Sequence, residues 1–273
     1  MGARASHCKA AGTSGRRATR EREPMIRAIA AAVSVTLALA PAAAQDEADL
    51  EPPLVVAVVA HPDDELFMAP ALAALAREGH FVRIVHATPG DAGPGVSNLP
   101  KGAALAETRR AEADCSGKAL GVSEVVNLGL PDGKLADHVR DGSLAKTLHD
   151  HLAWADVVLT WGPDGGYGHA DHRLVSAIAT QMVQAQPEGD RAALFYVAIP
   201  AGRLPPVAEM QDWAMTDPKL LAEGIAYTPA DLAAARAAAM CHVTQFPEAS
   251  REGMMGLFDA TMWRGRVHFR KAF

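Results

Sequence analysis

The chain has 273 residues, of which 49% are hydrophobic, 21% charged and 5% aromatic, which excludes a disordered chain and a collagen-like or low-complexity one. Its formal net charge is −6. The sign is uneven: residues 1–44 hold seven Lys/Arg against two Asp/Glu, a net of +5, so the other 229 residues carry −11, and so acidic a body argues against a nucleic-acid backbone as partner.

From Met25 the order of features is that of a secretory signal. Arg27 supplies a positive start, residues 28–40 an apolar run, and Ala42-Ala43-Ala44 a small-residue cleavage site before Gln45. The run is too short to serve as a good membrane anchor, and no other stretch suggests a span. Residues 1–24 then form an upstream extension, 45–53 an acidic tether ending in Pro52-Pro53, and 54–273 a single domain. The expected destination is periplasmic or secreted. Cys8 falls in the removed part. In an exported protein Cys115 and Cys241 either pair or stay as two buried thiols, and pairing needs a geometry that sequence does not supply.

Residues 54–60 (LVVAVVA) are a continuous Val-rich run, as expected of a strand buried on both faces of a parallel sheet. A helix over 66–79 ends at Gly79, and 81–87 is a second strand. A Gly/Pro-rich loop over 88–103 leads to a helix over 104–119 and a third strand over 122–128. A helix near 143–153 precedes the fourth strand, 156–161, and a helix over 172–186 precedes the fifth, 192–199. Beyond residue 200 the pattern loosens, but Thr228-Pro229 reads as an N-cap and first helical position, with an Ala-rich helix running to Cys241. Alternating strands and helices predict an α/β, Rossmann-like, mostly parallel sheet with helices on both faces. In the strand order 3-2-1-4-5-6 the first and fourth strands are neighbours at the switch point, where ligands bind beyond the carboxyl ends.

The loops at those two ends hold the chemistry. One is His61-Pro62-Asp63-Asp64-Glu65; the other runs from Asp164 through Tyr167, Gly168, His169, Ala170 and Asp171 to His172. Imidazole and carboxylate are zinc ligands, and a catalytic zinc site takes three protein ligands and leaves one position open. Taken singly, each loop also has a plain structural explanation: Pro62 fixes a turn, Asp63 or Asp64 caps a helix, and Glu65 in a first helical turn needs no catalytic role. His149 and His151 are two residues apart and face different ways on a helix.

The chain resembles the PIG-L/LmbE family of zinc-dependent N-acetylglucosaminyl deacetylases. The resemblance is carried by Ala60–Glu65 (AHPDDE), Gly168–His172 (GHADH), Arg109-Arg110-Ala111-Glu112, Leu120-Gly121-Val122 and Leu130-Pro131-Asp132-Gly133, with His242-Val243-Thr244-Gln245 further on. Ala170 stands where Pro is often found. The resemblance implies that His61, Asp64 and His172 bind one divalent ion, zinc, or iron or cobalt on the same donor types. It implies that Asp63 is the general base, that His169 stabilises the oxyanion or protonates the leaving amine, and that Asp171 orients a neighbouring histidine. Tyr167, Arg109 and Asp132 are candidates to contact a sugar, although Arg109 is also placed to pair with Glu112 and Asp132 to make a turn. His242 is accounted for equally well as a buried hydrogen-bonded residue.

The expected function is removal of acetyl from an N-acetylated amino sugar, free, in a glycan or in a conjugate. The alternatives are an amidase for a non-sugar N-acyl compound and a catalytically inactive sugar-binding module. A nucleotide-binding protein is disfavoured, because no Gly-x-Gly-x-x-Gly follows the first strand.

Overall fold

The computed structural model describes residues 52–221 and 223–273. The expected extension, signal and most of the tether lie outside the described residues. In chain order the strands are β1 Leu54–Val59, β2 Phe81–His86, β3 Glu124–Asn127, β4 Val157–Trp161, β5 Ala193–Val197, β6 Glu223–Ala226 and β7 Arg266–Lys271. The helices are α1 Ala69–Arg77, α2 Ala103–Leu120, α3 Leu135–Arg140, α4 Ser143–Leu152, α5 Ala170–Gln184, α6 Pro229–Cys241 and α7 Glu248–Phe258.

The sheet runs β3-β2-β1-β4-β5-β7-β6. Its first five strands are parallel, in the order expected from the alternating pattern. The sixth place differs from that expectation: it is taken by β7, antiparallel to β5, with β6 antiparallel beyond it. The Val-rich run becomes the central strand. Val55, Ala57 and Val59 face one core with Leu72, Ala235 and Trp263, while Val56, Val58 and Ala60 face the other with Leu144, Leu148 and Val175. Each of residues 55–60 is at most 1% exposed, as a strand covered on both faces requires.

Local chemistry sets the element boundaries. The helix expected over 66–79 divides into a 3₁₀ turn, Asp64–Met68, and α1, because Pro70 favours a helix's first turn. Gly79, at φ +87°, closes it. Thr228 caps α6 in a reciprocal box: its Oγ1 accepts the Asp231 N–H at 3.3 Å and Asp231 Oδ2 accepts the Thr228 N–H at 2.7 Å. β6, β7 and α3 escape a reading of hydrophobic period. In β7 only Val267 and Phe269 point into the core, between Arg266, His268 and Arg270. Among the described residues no helix is long and apolar enough to cross a membrane.

Cys115 of α2 and Cys241 of α6 form a disulfide, with Cα atoms 5.8 Å apart and 126 residues of sequence between them. Closing so long a loop restricts the unfolded chain, and removing such a crosslink costs about 2–4 kcal/mol. The double variant Cys115→Ala/Cys241→Ala is therefore expected to lose that much unfolding free energy in urea titration. A loss below about 0.5 kcal/mol would mean that α2–α6 packing alone fixes the pair.

Candidate metal centre and active site

The chain leaves β1 through Ala60 and His61 into the 3₁₀ turn, and leaves β4 through residues 162–169 into α5. These neighbouring strand ends bring together His61, Asp64 and His172, which are 7%, 5% and 0% exposed. His172 Nε2 lies 3.0 Å from Asp64 Oδ1 and 3.3 Å from His61 Nδ1, and His61 Nδ1 lies 3.6 Å from Asp64 Oδ2. Zinc bonds of about 2.0–2.1 Å at tetrahedral angles put donor atoms about 3.3 Å apart, so the three residues fit such an ion.

The hydrogen bonds around the three donors also suit a cation. His172 Nδ1 donates to the Gly165 carbonyl at 3.1 Å, and His61 Nε2 donates to Asp132 Oδ1 at 3.0 Å. Each bond fixes the tautomer that leaves the inward nitrogen bare. Asp64 Oδ2 accepts the N–H groups of Ala60 and His61 at 3.1 and 2.8 Å. Burial would raise the Asp64 pKa, but His172 and His61 overcome it and hold the carboxyl well below its usual range. Trp161 stacks flat on the His172 ring at 5.0 Å and 7°. Gly166 lets the loop lie against that indole, since a Cβ there would come within 2.7 Å of it.

Asp63 adopts φ +101°, a left-handed conformation that non-glycine residues rarely hold. Arg109 Nη2 donates to the preceding carbonyl, Pro62, at 2.6 Å and to Asp63 Oδ2 at 3.2 Å. Burial pushes the Asp63 carboxyl up to about 6; Arg109 works against this, and Asp64 adds to it.

His169 is the N-cap of α5, its Nδ1 accepting the Asp171 N–H at 3.2 Å. Its pKa is lowered by burial and by His61 and His172. The rings of His61, His169 and His172 each place a nitrogen within 4.8 Å of the others, so His169 borders the same point. The Asp64 carboxylate is the nearer third donor. A second convergence, of His61 with Asp132 and Asp171, is a hydrogen-bond set around one imidazole N–H. Asp171 Oδ2 lies 3.6 Å from His61 Nε2 and accepts the Gly133 N–H at 2.9 Å. Tyr167, 47% exposed, stands at the mouth, its ring 5.2 Å from that of His172 and 4.8 Å from that of Trp213.

Two sugar-contact expectations change. Arg109 is 3% exposed, and besides Pro62 and Asp63 it donates to the carbonyls of Gly90 and Gly93. The guanidinium is thus a strut beneath the loop rather than a group facing the mouth. It does not pair with Glu112, which accepts instead from the N–H and hydroxyl of Thr244. Asp132 spends Oδ1 on His61 and Oδ2 on the Ala92 N–H, so it orients a candidate ligand.

Glu65, which the sequence presents as an ordinary first-turn acid, is 0% exposed and accepts four hydrogen bonds. Oε2 takes the Asp63 N–H at 2.9 Å and His86 Nε2 at 3.1 Å; Oε1 takes the Ser116 hydroxyl at 2.6 Å and His242 Nε2 at 2.8 Å. Burial opposes its charge, but the two histidines prevail and hold its pKa well below the usual value. The one local signal is an acid beside Leu66 and Met68, which point into the core.

Residues 56–183 match the PIG-L family model, described as GlcNAc-PI de-N-acetylase. A 1D-myo-inositol 2-acetamido-2-deoxy-alpha-D-glucopyranoside deacetylase of Corynebacterium kroppenstedtii is 33% identical over 175 residues, covering 51% of this chain and 45% of the relative. The alignment therefore spans about half of each. Among solved structures, the N,N'-diacetylchitobiose deacetylase of Pyrococcus horikoshii superimposes with a TM-score of 0.60 at 20% identity, over 80% of this chain and 83% of that one. The 4-carboxy-2-hydroxymuconate hydratase of Pseudomonas putida KT2440 does so with a TM-score of 0.58 at 17% identity, over 81% and 96%. The fold thus occurs with more than one chemistry. The sequence match falls on β1 through α5, the segment that supplies the converging donors, and over that segment this chain is similar to the PIG-L family.

Proposed function

We propose that the chain is an exported, metal-dependent hydrolase that removes acetyl from an N-acetylglucosamine-type amino sugar or its conjugate. The observation that carries this reading is the convergence of His61 Nδ1, the Asp64 carboxylate and His172 Nε2 on one point, with the Asp63 loop and His169 at its edge. A divalent ion held there, zinc by the donor chemistry, supplies Lewis acidity that acidifies a water and polarises an amide carbonyl.

The chain's own residues do the rest. Asp63 takes a proton from the attacking water, and a carboxyl of pKa about 6 is ionised at neutral pH yet more basic than a free aspartate. His169, neutral and with Nδ1 engaged by its helix, presents its Nε2–H to the amide oxygen as negative charge develops there. The C–N bond breaks as the proton held on Asp63 passes to the amine. Tyr167 is placed at the mouth to contact the sugar. The named activity of the Corynebacterium relative supports an N-acetylated glucosamine conjugate as the substrate class.

The test is release of free amine by the zinc-loaded protein from N-acetylglucosamine, its oligomers and glycosides, and N-acetyl amino acids. Chelator-sensitive release from the sugars supports the reading. Release from the amino acids alone would make the protein an amidase of another class. Stoichiometric zinc with no release from any acetamide would overturn the hydrolytic assignment.

Export to the periplasm or beyond rests on the signal pattern from Met25 and on the disulfide, which persists in oxidising compartments. Mass spectrometry of the exported protein should find a chain beginning at Gln45. A cytosolic, unprocessed chain would contradict export without touching the chemistry.

A further inference from the structure

We infer that Glu65 is a positioning residue for the base Asp63, held in place by a clamp that the disulfide closes; this rests on the deacetylase reading above. The Pro62–Asp63 peptide unit is gripped from both sides. Its carbonyl accepts from Arg109 Nη2 at 2.6 Å, and its N–H donates to Glu65 Oε2 at 2.9 Å. The two groups of a trans peptide point in opposite directions, so the two bonds together fix the plane of that unit. That plane, together with the Asp63 carbonyl held by the Leu66 N–H at 3.1 Å, keeps Asp63 at φ +101° and so directs its carboxyl. A left-handed aspartate persists only where its surroundings over-determine it.

Glu65 is itself fixed from outside the loop. Its other oxygen accepts from Ser116 of α2 at 2.6 Å and from His242, which follows α6, at 2.8 Å. These two residues are the chain neighbours of Cys115 and Cys241, so the covalent link between the helices also joins the two donors. His86, at the end of β2, completes the set at 3.1 Å. Glu65 and its side-chain partners His86, Ser116 and His242 are each 0% exposed. Glu65 is therefore placed to act on the reaction through Asp63 rather than by touching substrate. A misplacement of about 1 Å in a catalytic group costs roughly 100-fold in rate.

The test is Glu65→Gln alone and combined with Asp63→Asn. One carboxamide oxygen cannot serve donors on both sides, so either the Asp63 N–H or the Ser116–His242 pair faces an NH2 group, and the clamp loses an acceptor on one side. The expected result is a kcat at least tenfold lower, with KM within twofold, zinc stoichiometry unchanged, and at least tenfold faster hydrogen exchange of the Asp63 amide by NMR. In the Asp63→Asn background the second substitution should change the residual rate by less than twofold. Wild-type kcat in Glu65→Gln, or an equal loss with and without Asp63, would overturn the inference, the latter showing a general role in the fold. Should Glu65→Gln fail to fold, Ser116→Ala removes one donor from α2; it is expected to lower kcat about threefold, and to do nothing in the Asp63→Asn background. If the wild type releases no amine from any acetamide, the functional reading falls. Amide exchange then still decides the clamp: unchanged protection of Asp63 in the Glu65 variant would overturn it.

Discussion

Replacing Asp63 with Asn is expected to lower kcat by about two to four orders of magnitude while the protein still binds one zinc. The substitution keeps the size of the side chain and an oxygen to accept from Arg109, but an amide takes no proton from water. The metal donors are other groups, Nδ1 of His61, the carboxylate of Asp64 and Nε2 of His172. Steady-state kinetics with elemental analysis of the purified variant separates the two effects. Loss of zinc from Asp63→Asn would show that Asp63, and not Asp64, holds the ion. The wild type should carry the matching pH signature. Asp63 works only when ionised, so kcat/KM falls as the pH drops through its pKa of about 6. A bound cation favours the ionised form further, which places the acid limb at or below pH 6. A limb well above pH 6 would point to another base.

His172→Ala is expected to abolish stoichiometric zinc binding, and activity with it. His172 is wholly buried and fixed through Nδ1 to the Gly165 carbonyl, while Trp161 packs flat on its ring, so its Nε2 is a donor held rigidly at the centre. Asp132→Ala makes the graded comparison. It leaves all three donors and removes the acceptor that orients His61, a loss expected to weaken zinc about 10–100-fold without eliminating it. Competition against a chromogenic chelator reads both variants. Full zinc occupancy in His172→Ala would shift the third ligand to His169, whose ring nitrogen lies within 4.8 Å of His61 and His172.

The sequence was most informative where the physics is local. The Val-rich apolar run from Leu54 to Ala60 suits a strand covered on both faces, and a Thr-Pro pair ahead of alanines suits the start of a helix, as both turn out to be. The alternation of such elements determined a parallel sheet, and the sheet's switch point determined which two loops face each other. That placed His61, Asp64, His169 and His172 together from sequence, although 111 residues separate the two outer histidines. The antiparallel pair β6 and β7 was not legible, because β6 is four residues long with none fully buried and β7 sets only two core residues among Arg266, His268, Arg270 and Lys271.

What tertiary structure alone decided is how buried polar atoms share their partners. Arg109 has the same charge whether it meets a sugar, Glu112 or the Pro62 carbonyl; only the packing of α2 beneath the loop selects the last. Glu65 reads as a helix-start acid until β2, α2 and the end of α6 surround it, with His86 and His242 contributed from 21 and 177 residues away. The pairing of Cys115 with Cys241 likewise needed the distance between two helices. Residue type and local period determine the elements and the donor chemistry at their ends. A hydrogen bond inside the protein depends on an ångström-scale distance between distant segments, and that distance exists only once the chain has folded.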